Sequence, residues 1–152
     1  DQGDLAGARA AYGKALEVRR RLTEADPSNA VWQRDLSVSH IKVGDVLRDQ
    51  GDLAGALAAY GKSLEVSRRL AEADPSNAGW QRDLSFSLTR IAEFHERHGD
   101  RTQALRFAEE SLMIDERLAA LDRSNAIWQN DVAASRRGPK QRHPMDCDAY
   151  LD

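Results

Sequence analysis

An all-α fold, built as a stack of antiparallel helix hairpins, is what this 152-residue sequence predicts. Three observations carry that reading. A phrase recurs at a fixed interval: DPSNAVWQRDLS from Asp26, DPSNAGWQRDLS from Asp74, and the weaker DRSNAIWQNDVA from Asp122. Trp32, Trp80 and Trp128 therefore stand 48 residues apart, and a period of this size marks stacked supersecondary units. Large or apolar residues fall at helical spacing within each unit. No segment shows the sustained alternation of a half-buried strand.

The elements follow in order. A lone helix is expected over about residues 4–25, with Leu5, Ala8, Tyr12 and Leu16 on it. The next runs over about 29–50. Its large residues Trp32, Leu36, His40, Val43 and Leu47 are spaced four, four, three and four, which is one helix face. Ser28 or Asn29 can cap it, because a short side-chain oxygen accepts from free first-turn amides. Gly51 ends it, and Asp52 can cap the helix that follows. That helix, about 52–73, places Leu53, Ala56, Tyr60, Leu64 and Leu70 largely along one face. Pro75 stops it. The connection around Gly51 is short enough to demand an antiparallel hairpin. Helices at about 77–98, 100–121 and 125–137 repeat the pattern, the last cut short by Gly138-Pro139. The expected organisation is a repeat array over 1–137: a lone second helix (4–25), repeats at about 29–73 and 77–121, and a capping helix (125–137). An irregular tail follows over 138–152.

Aligned on Gly3 and Gly51, the first two copies agree at about 30 of 35 positions. Agreement collapses over His40–Gln50 against Leu88–His98. The opening Asp1-Gln2-Gly3-Asp4 matches Asp49-Gln50-Gly51-Asp52, so the chain is expected to start partway through a repeat.

Composition removes several function classes. Net charge is −3, with 41% hydrophobic and 31% charged residues, which gives no global bias toward nucleic acid or anionic lipid. No apolar run approaches the ~20 residues needed to span a bilayer. Neither nucleic acid nor membrane is expected as a partner. No secretory signal is visible, and the one cysteine, Cys147, excludes an internal disulfide. A cytoplasmic location is expected.

Candidate chemistry is sparse. His95 and His98 have i,i+3 spacing that could hold two metal ligands, but no HExxH and no third ligand accompany them. Packing for His95, and a helix-end position for His98, fit better. The tail gathers His143, Asp146, Cys147 and Asp148 without periodicity or a second cysteine. There is no glycine-rich phosphate loop and no Gly-x-Ser-x-Gly. No catalytic residue, cofactor or metal is expected. Arg19–Arg21 lie near Glu17 and Glu24 and read as salt-bridged surface. The cluster over Arg136–Arg142 lacks the interleaved aromatics of a nucleic-acid site. The tryptophans could be stacking platforms, but each continues the inward face of its helix and reads as packing between repeats.

The residues His40, Val43, Gly44 and Leu47, with Ala56, Tyr60 and Ser63, resemble the tetratricopeptide repeat. Ala8, Tyr12 and Ala15 repeat the second-helix set. The next copy departs: it has Leu88, Ile91, Ala92 and His95, then Ala104 and Ala108, and Arg123 replaces the terminal proline. The usual period of this family is about 34 residues. The excess of about 14 is close to four turns, two for each helix, and is similar to the long repeats of kinesin light chain. HEAT-like repeats are the alternative. The resemblance implies a right-handed superhelical stack whose first helices line a concave groove. The groove stripe would hold Arg34, Val38, Ile41, Lys42, Asp45 and Arg48, then Arg82, Phe86, Thr89, Arg90, Glu93 and Arg97. Val38 and Phe86, flanked by charge, would anchor a peptide or partner helix, or pack on the adjacent repeat. Asp45 and Glu93 stand where the modules that grip chaperone carboxylates have asparagine, which disfavours that ligand.

The implied function is a non-catalytic scaffold for a protein or peptide. The alternative is a self-association or spacer module of a larger bacterial signalling protein. Homo-oligomers would then form through the exposed terminal helix and its Leu5, Tyr12 and Leu16.

Overall fold

The computed structural model describes residues 2–137. Among them six helices run in chain order: α1 (Gln2–Ala25), α2 (Ala30–Asp49), α3 (Leu53–Ala73), α4 (Ala78–Arg97), α5 (Arg101–Leu121) and α6 (Ala126–Arg137). No strand occurs among the described residues. The fold is all-α, as the spacing predicts. α2 to α5 are 20 or 21 residues long, about 30 Å each at 1.5 Å per residue. The tail with His143, Asp146, Cys147 and Asp148 lies outside the described residues, as do Lys140 and Arg142 of the terminal basic cluster.

Two kinds of turn alternate, and each is written in the local sequence. Between α2 and α3, Gly51 takes φ 82°. Its N–H donates to the Arg48 carbonyl at 2.9 Å, and the Asp52 N–H donates to the Leu47 carbonyl at 2.9 Å. This pair of bonds satisfies carbonyls that the helix end would leave open, and the left-handed residue favours glycine. Asp52 then accepts from the Gly55 N–H at 2.9 Å and starts α3. Gly99, at φ 81°, and Asp100 repeat the device between α4 and α5.

The Asp-x-Ser-Asn turn is the other kind. Asp26 Oδ1 accepts from the Ser28 N–H at 3.1 Å and its hydroxyl at 2.6 Å. Asn29 caps α2 by accepting from the Trp32 N–H at 3.1 Å. Of the two candidate caps, Asn29 takes the role because Ser28 is engaged by Asp26. The same bonds recur at Asp74–Asn77 and at Asp122–Asn125. Arg123 in place of proline leaves the turn intact.

The chain divides into two compact units, residues 1–73 and 74–152. In the first, α2 packs against both α1 and α3; in the second, α5 packs against both α4 and α6. The first unit closes around Tyr60, only 1% exposed. A Cβ at Gly44 would lie 2.6 Å from the Tyr60 ring, so the missing side chain is what lets the ring lie against α2. The Tyr60 hydroxyl donates to Asp45 at 2.7 Å, which satisfies its polar end. The second unit replaces this pair with Ala92 and Ala108. Its aromatic bulk comes one position earlier, from Phe107, which stacks on His95 with centroids 5.8 Å apart.

A hydroxyl seam runs inside each hairpin. Ser37 of α2 lies 2.8 Å from the Ser63 hydroxyl and 2.9 Å from the Ser67 hydroxyl of α3. In the second unit Ser85 bonds Ser111 at 2.9 Å and donates to Asp115 at 2.5 Å. Thr89 also reaches Ser111, at 2.9 Å. Asp115 is buried and accepts a further bond from Ser135 of α6. Buried polar groups stay only where they find such partners.

Candidate partner-binding surface

On the α2 stripe Arg34, Val38, Lys42, Asp45 and Arg48 are three or four apart, so they share one helix face, with Ile41 beside it. Arg34 is exposed; Val38 and Lys42 are half-buried; Ile41 is buried. Asp45 is engaged on both sides. It accepts from Tyr60, and Arg48 lies 3.3 Å away as an ion pair. Lys42 makes no hydrogen bond or ion pair among the described residues. The α2 stripe thus offers an apolar side chain and an uncommitted ammonium one turn apart. One turn further on, the carboxylate is already taken.

The corresponding stripe on α4 is built differently. Phe86 is 8% exposed and buried. The Arg90 guanidinium lies over its ring, 5.2 Å from the centroid, and sits 3.6 Å from Glu93. Glu93 and Thr89 are buried too. Arg82 reaches α6, where its two nitrogens meet the two Asp131 oxygens at 2.7 and 3.3 Å. A forked, part-buried Arg–carboxylate pair of this kind fixes geometry as well as charge. Spacing alone had not indicated this pair. The signal was present in the repeat, since Arg34 and Asp35 recur as Arg82 and Asp83, and the aspartate alone persists at Asp131.

The three indoles Trp32, Trp80 and Trp128 are half-buried. They sit in the first turn of their helices, where each backbone N–H is held by the capping asparagine. The expectation of inward packing is thus met only in part. His98 stacks on Phe94 at 4.3 Å, and His95 faces Asp100 at 3.6 Å as well as Phe107. Among the described residues no group of three or more His, Cys, Asp and Glu side chains is arranged to hold a metal ion. His40 is half-buried. Burial, and then the positive charge of Lys62, hold its pKa down at about 4.

The lone helix α1 carries the third candidate surface. Leu5 and Leu16 are half-buried, whereas Tyr12 is 39% exposed. Arg20 and Arg21 are held by Glu17 and Glu24 in surface pairs on the same helix, as charge patterning predicts, whereas Arg19 makes no ion pair among the described residues. No helix among the described residues is long and apolar enough to cross a membrane.

Comparison with known proteins decides between the repeat families. The model of the tetratricopeptide repeat matches residues 1–28 and 42–76. The second stretch holds Gly44, Asp45, the Gly51 turn and all of α3. No curated protein sequence matches the chain closely enough to carry an argument. Proteins of this repeat class are interaction scaffolds and are generally not enzymes. The helix hairpins, their small-residue contact at Gly44 and the family match agree, and the chain belongs to the tetratricopeptide repeat family.

Proposed function

We propose that this chain is a non-catalytic scaffold that binds a protein or peptide through α2, with Val38 and Lys42 at the centre of the contact. The observation that carries this reading is the Val38–Lys42 pair. Val38 offers apolar surface, and Lys42 has a charge with no partner among the described residues. A segment presenting a carboxylate beside an apolar side chain would satisfy both. Burying the apolar part would strengthen the charged bond by excluding water. Asp45 serves Tyr60 and Arg48, so its part is to shape the surface rather than to grip. On α4, Phe86, Arg90 and Glu93 fit the same supporting part, and Arg82 is committed to Asp131. A rigid helix face limits the side-chain ordering lost on binding.

A second reading is favoured by one observation, the 39% exposure of Tyr12 on α1. It makes the chain a self-association or spacer module. Capture from lysate on immobilised protein, read by quantitative mass spectrometry, separates the two. Lys42→Glu and Val38→Asp should each deplete the captured partner about tenfold or more, with sedimentation mass unchanged. An unchanged captured set overturns the α2 reading. A mass that falls with Tyr12→Ala supports self-association instead.

A further inference from the structure

Arg19 is the residue of α1 that its own repeat does not explain. α1 copies α3 closely, with Tyr12 in the place of Tyr60, Ala15 in that of Ser63 and Arg19 in that of Ser67. On α3 these positions face α2. Tyr60 lies against Gly44 and donates to Asp45, and Ser67 bonds Ser37. On α5 the same position is Asp115, and it accepts from Ser85, the counterpart of Ser37. So this position on a second helix is met, in both hairpins, by the same position on the preceding first helix, and Asp115 is met by Ser135 of α6 as well. On α1 it is an arginine, and Arg19 makes no side-chain hydrogen bond or ion pair among the described residues.

A second charge is left over nearby in the repeat. Asp131 of α6 is held by Arg82 of α4. Its counterpart on α2 is Asp35, whose carboxylate has no partner among the described residues. By that precedent, an arginine on a preceding first helix would fill it. The apolar face tells the same story. Tyr12, Val18 and Leu22 are 39%, 57% and 39% exposed, whereas Tyr60, Val66 and Leu70 are 1%, 6% and 6% exposed.

We propose that the open face of α1, with Asp35 of α2, docks a partner helix of defined chemistry. That helix carries an arginine for Asp35, an acidic residue three positions later for Arg19, and Gly-Asp seven and eight positions after that for the Tyr12 ring and hydroxyl. This is the Arg34, Ser37, Gly44, Asp45 spacing of α2 with one change, acid for serine, imposed by Arg19. A second copy of this chain fits poorly. Its α2 and α4 are already covered by α3 and α5. Its α6 has Asn130 where the arginine is needed and Ala133 where the acid is needed. The proposal uses a surface separate from Val38 and Lys42 and stands apart from that reading.

The test joins a copy of residues 26–48 ahead of Asp1 in the full chain. Asp1 to Asp4 repeat Asp49 to Asp52, so the α2–α3 junction is recreated, and the tether supplies a high effective concentration. An appended copy bearing Ser37→Asp should raise the thermal midpoint by roughly 2–4 °C more than the unaltered copy. That advantage should vanish when Arg19 of the host is changed to Ser, as in α3. Host Asp35→Arg should lower the midpoint, and Arg34→Glu in the appended copy should restore it. Equal midpoints for the serine and aspartate copies, or no rescue by the charge exchange, overturn the proposal. Sedimentation of the unfused chain should show a monomer; a dimer dissolved by Tyr12→Ala would assign the face to a second copy and overturn the choice of occupant.

Discussion

At the scale of single residues, the contact of Gly44 with Tyr60 sets how closely α2 and α3 approach. Gly44→Ala would push a methyl group into a ring that is itself buried, so the hairpin must open or the ring must tilt. Overpacking of this kind costs about 1–3 kcal/mol. Tyr60→Ala alone should cost about 3–5 kcal/mol through the cavity it leaves. In that background Gly44→Ala should become close to neutral, because the clash is gone. Urea midpoints of the four proteins in this cycle check the coupling; additive losses contradict it. The second unit is the natural form of the double change, with Ala92 facing the place of Ala108. His40 gives a pH signature. Its folded pKa of about 4 lies below the ordinary 6.5, so the unfolded chain binds the proton more readily. Stability from this residue is therefore complete above about pH 6.5 and falls as pH drops toward about 4. His40→Leu, which copies Leu88, should flatten that part of the profile relative to the parent. A parallel pair of profiles between pH 4 and 7 contradicts the assignment.

Elements were legible in the sequence because their signals are local. Gly51 and Gly99 supply the left-handed residue, the Asp-x-Ser-Asn phrase supplies a turn and a cap, and apolar spacing supplies the face between them. What was not legible depends on which neighbour covers a face. The wheel placed Phe86 and Glu93 beside the core stripe, but it could not say that both would be buried. Arg82 falls on the same groove-facing stripe, and its partner Asp131 lies on another helix, 49 positions along the chain. The serine seam was hidden for a related reason. Serine is neutral in most patterns, and only adjacency shows that Ser37, Ser63 and Ser67 satisfy one another. Asp115 tests how much the seam matters. Asp115→Ser, copying Ser67, should be tolerated far better than Asp115→Leu. The latter removes the carboxylate that accepts from the Ser85 and Ser135 hydroxyls, a loss of about 1–3 kcal/mol visible in denaturant midpoints. Equal losses for the two variants contradict a bonding role for Asp115.

At the scale of the whole molecule, tertiary cover rather than helix propensity holds each rod. In proteins most helical stability comes from packing an amphipathic face rather than from propensity, so the persistence of each rod depends on the face it buries. This chain contains its own control. α1 and α3 share almost the same sequence, yet α3 buries Tyr60, Val66 and Leu70 while α1 leaves Tyr12, Val18 and Leu22 open. The most direct test is amide hydrogen exchange measured residue by residue at these three pairs. Each pair has the same preceding residue, so intrinsic exchange rates match and only protection differs. The account predicts that Tyr60, Val66 and Leu70 exchange about tenfold or more slowly than Tyr12, Val18 and Leu22. Equal protection across the pairs would contradict it.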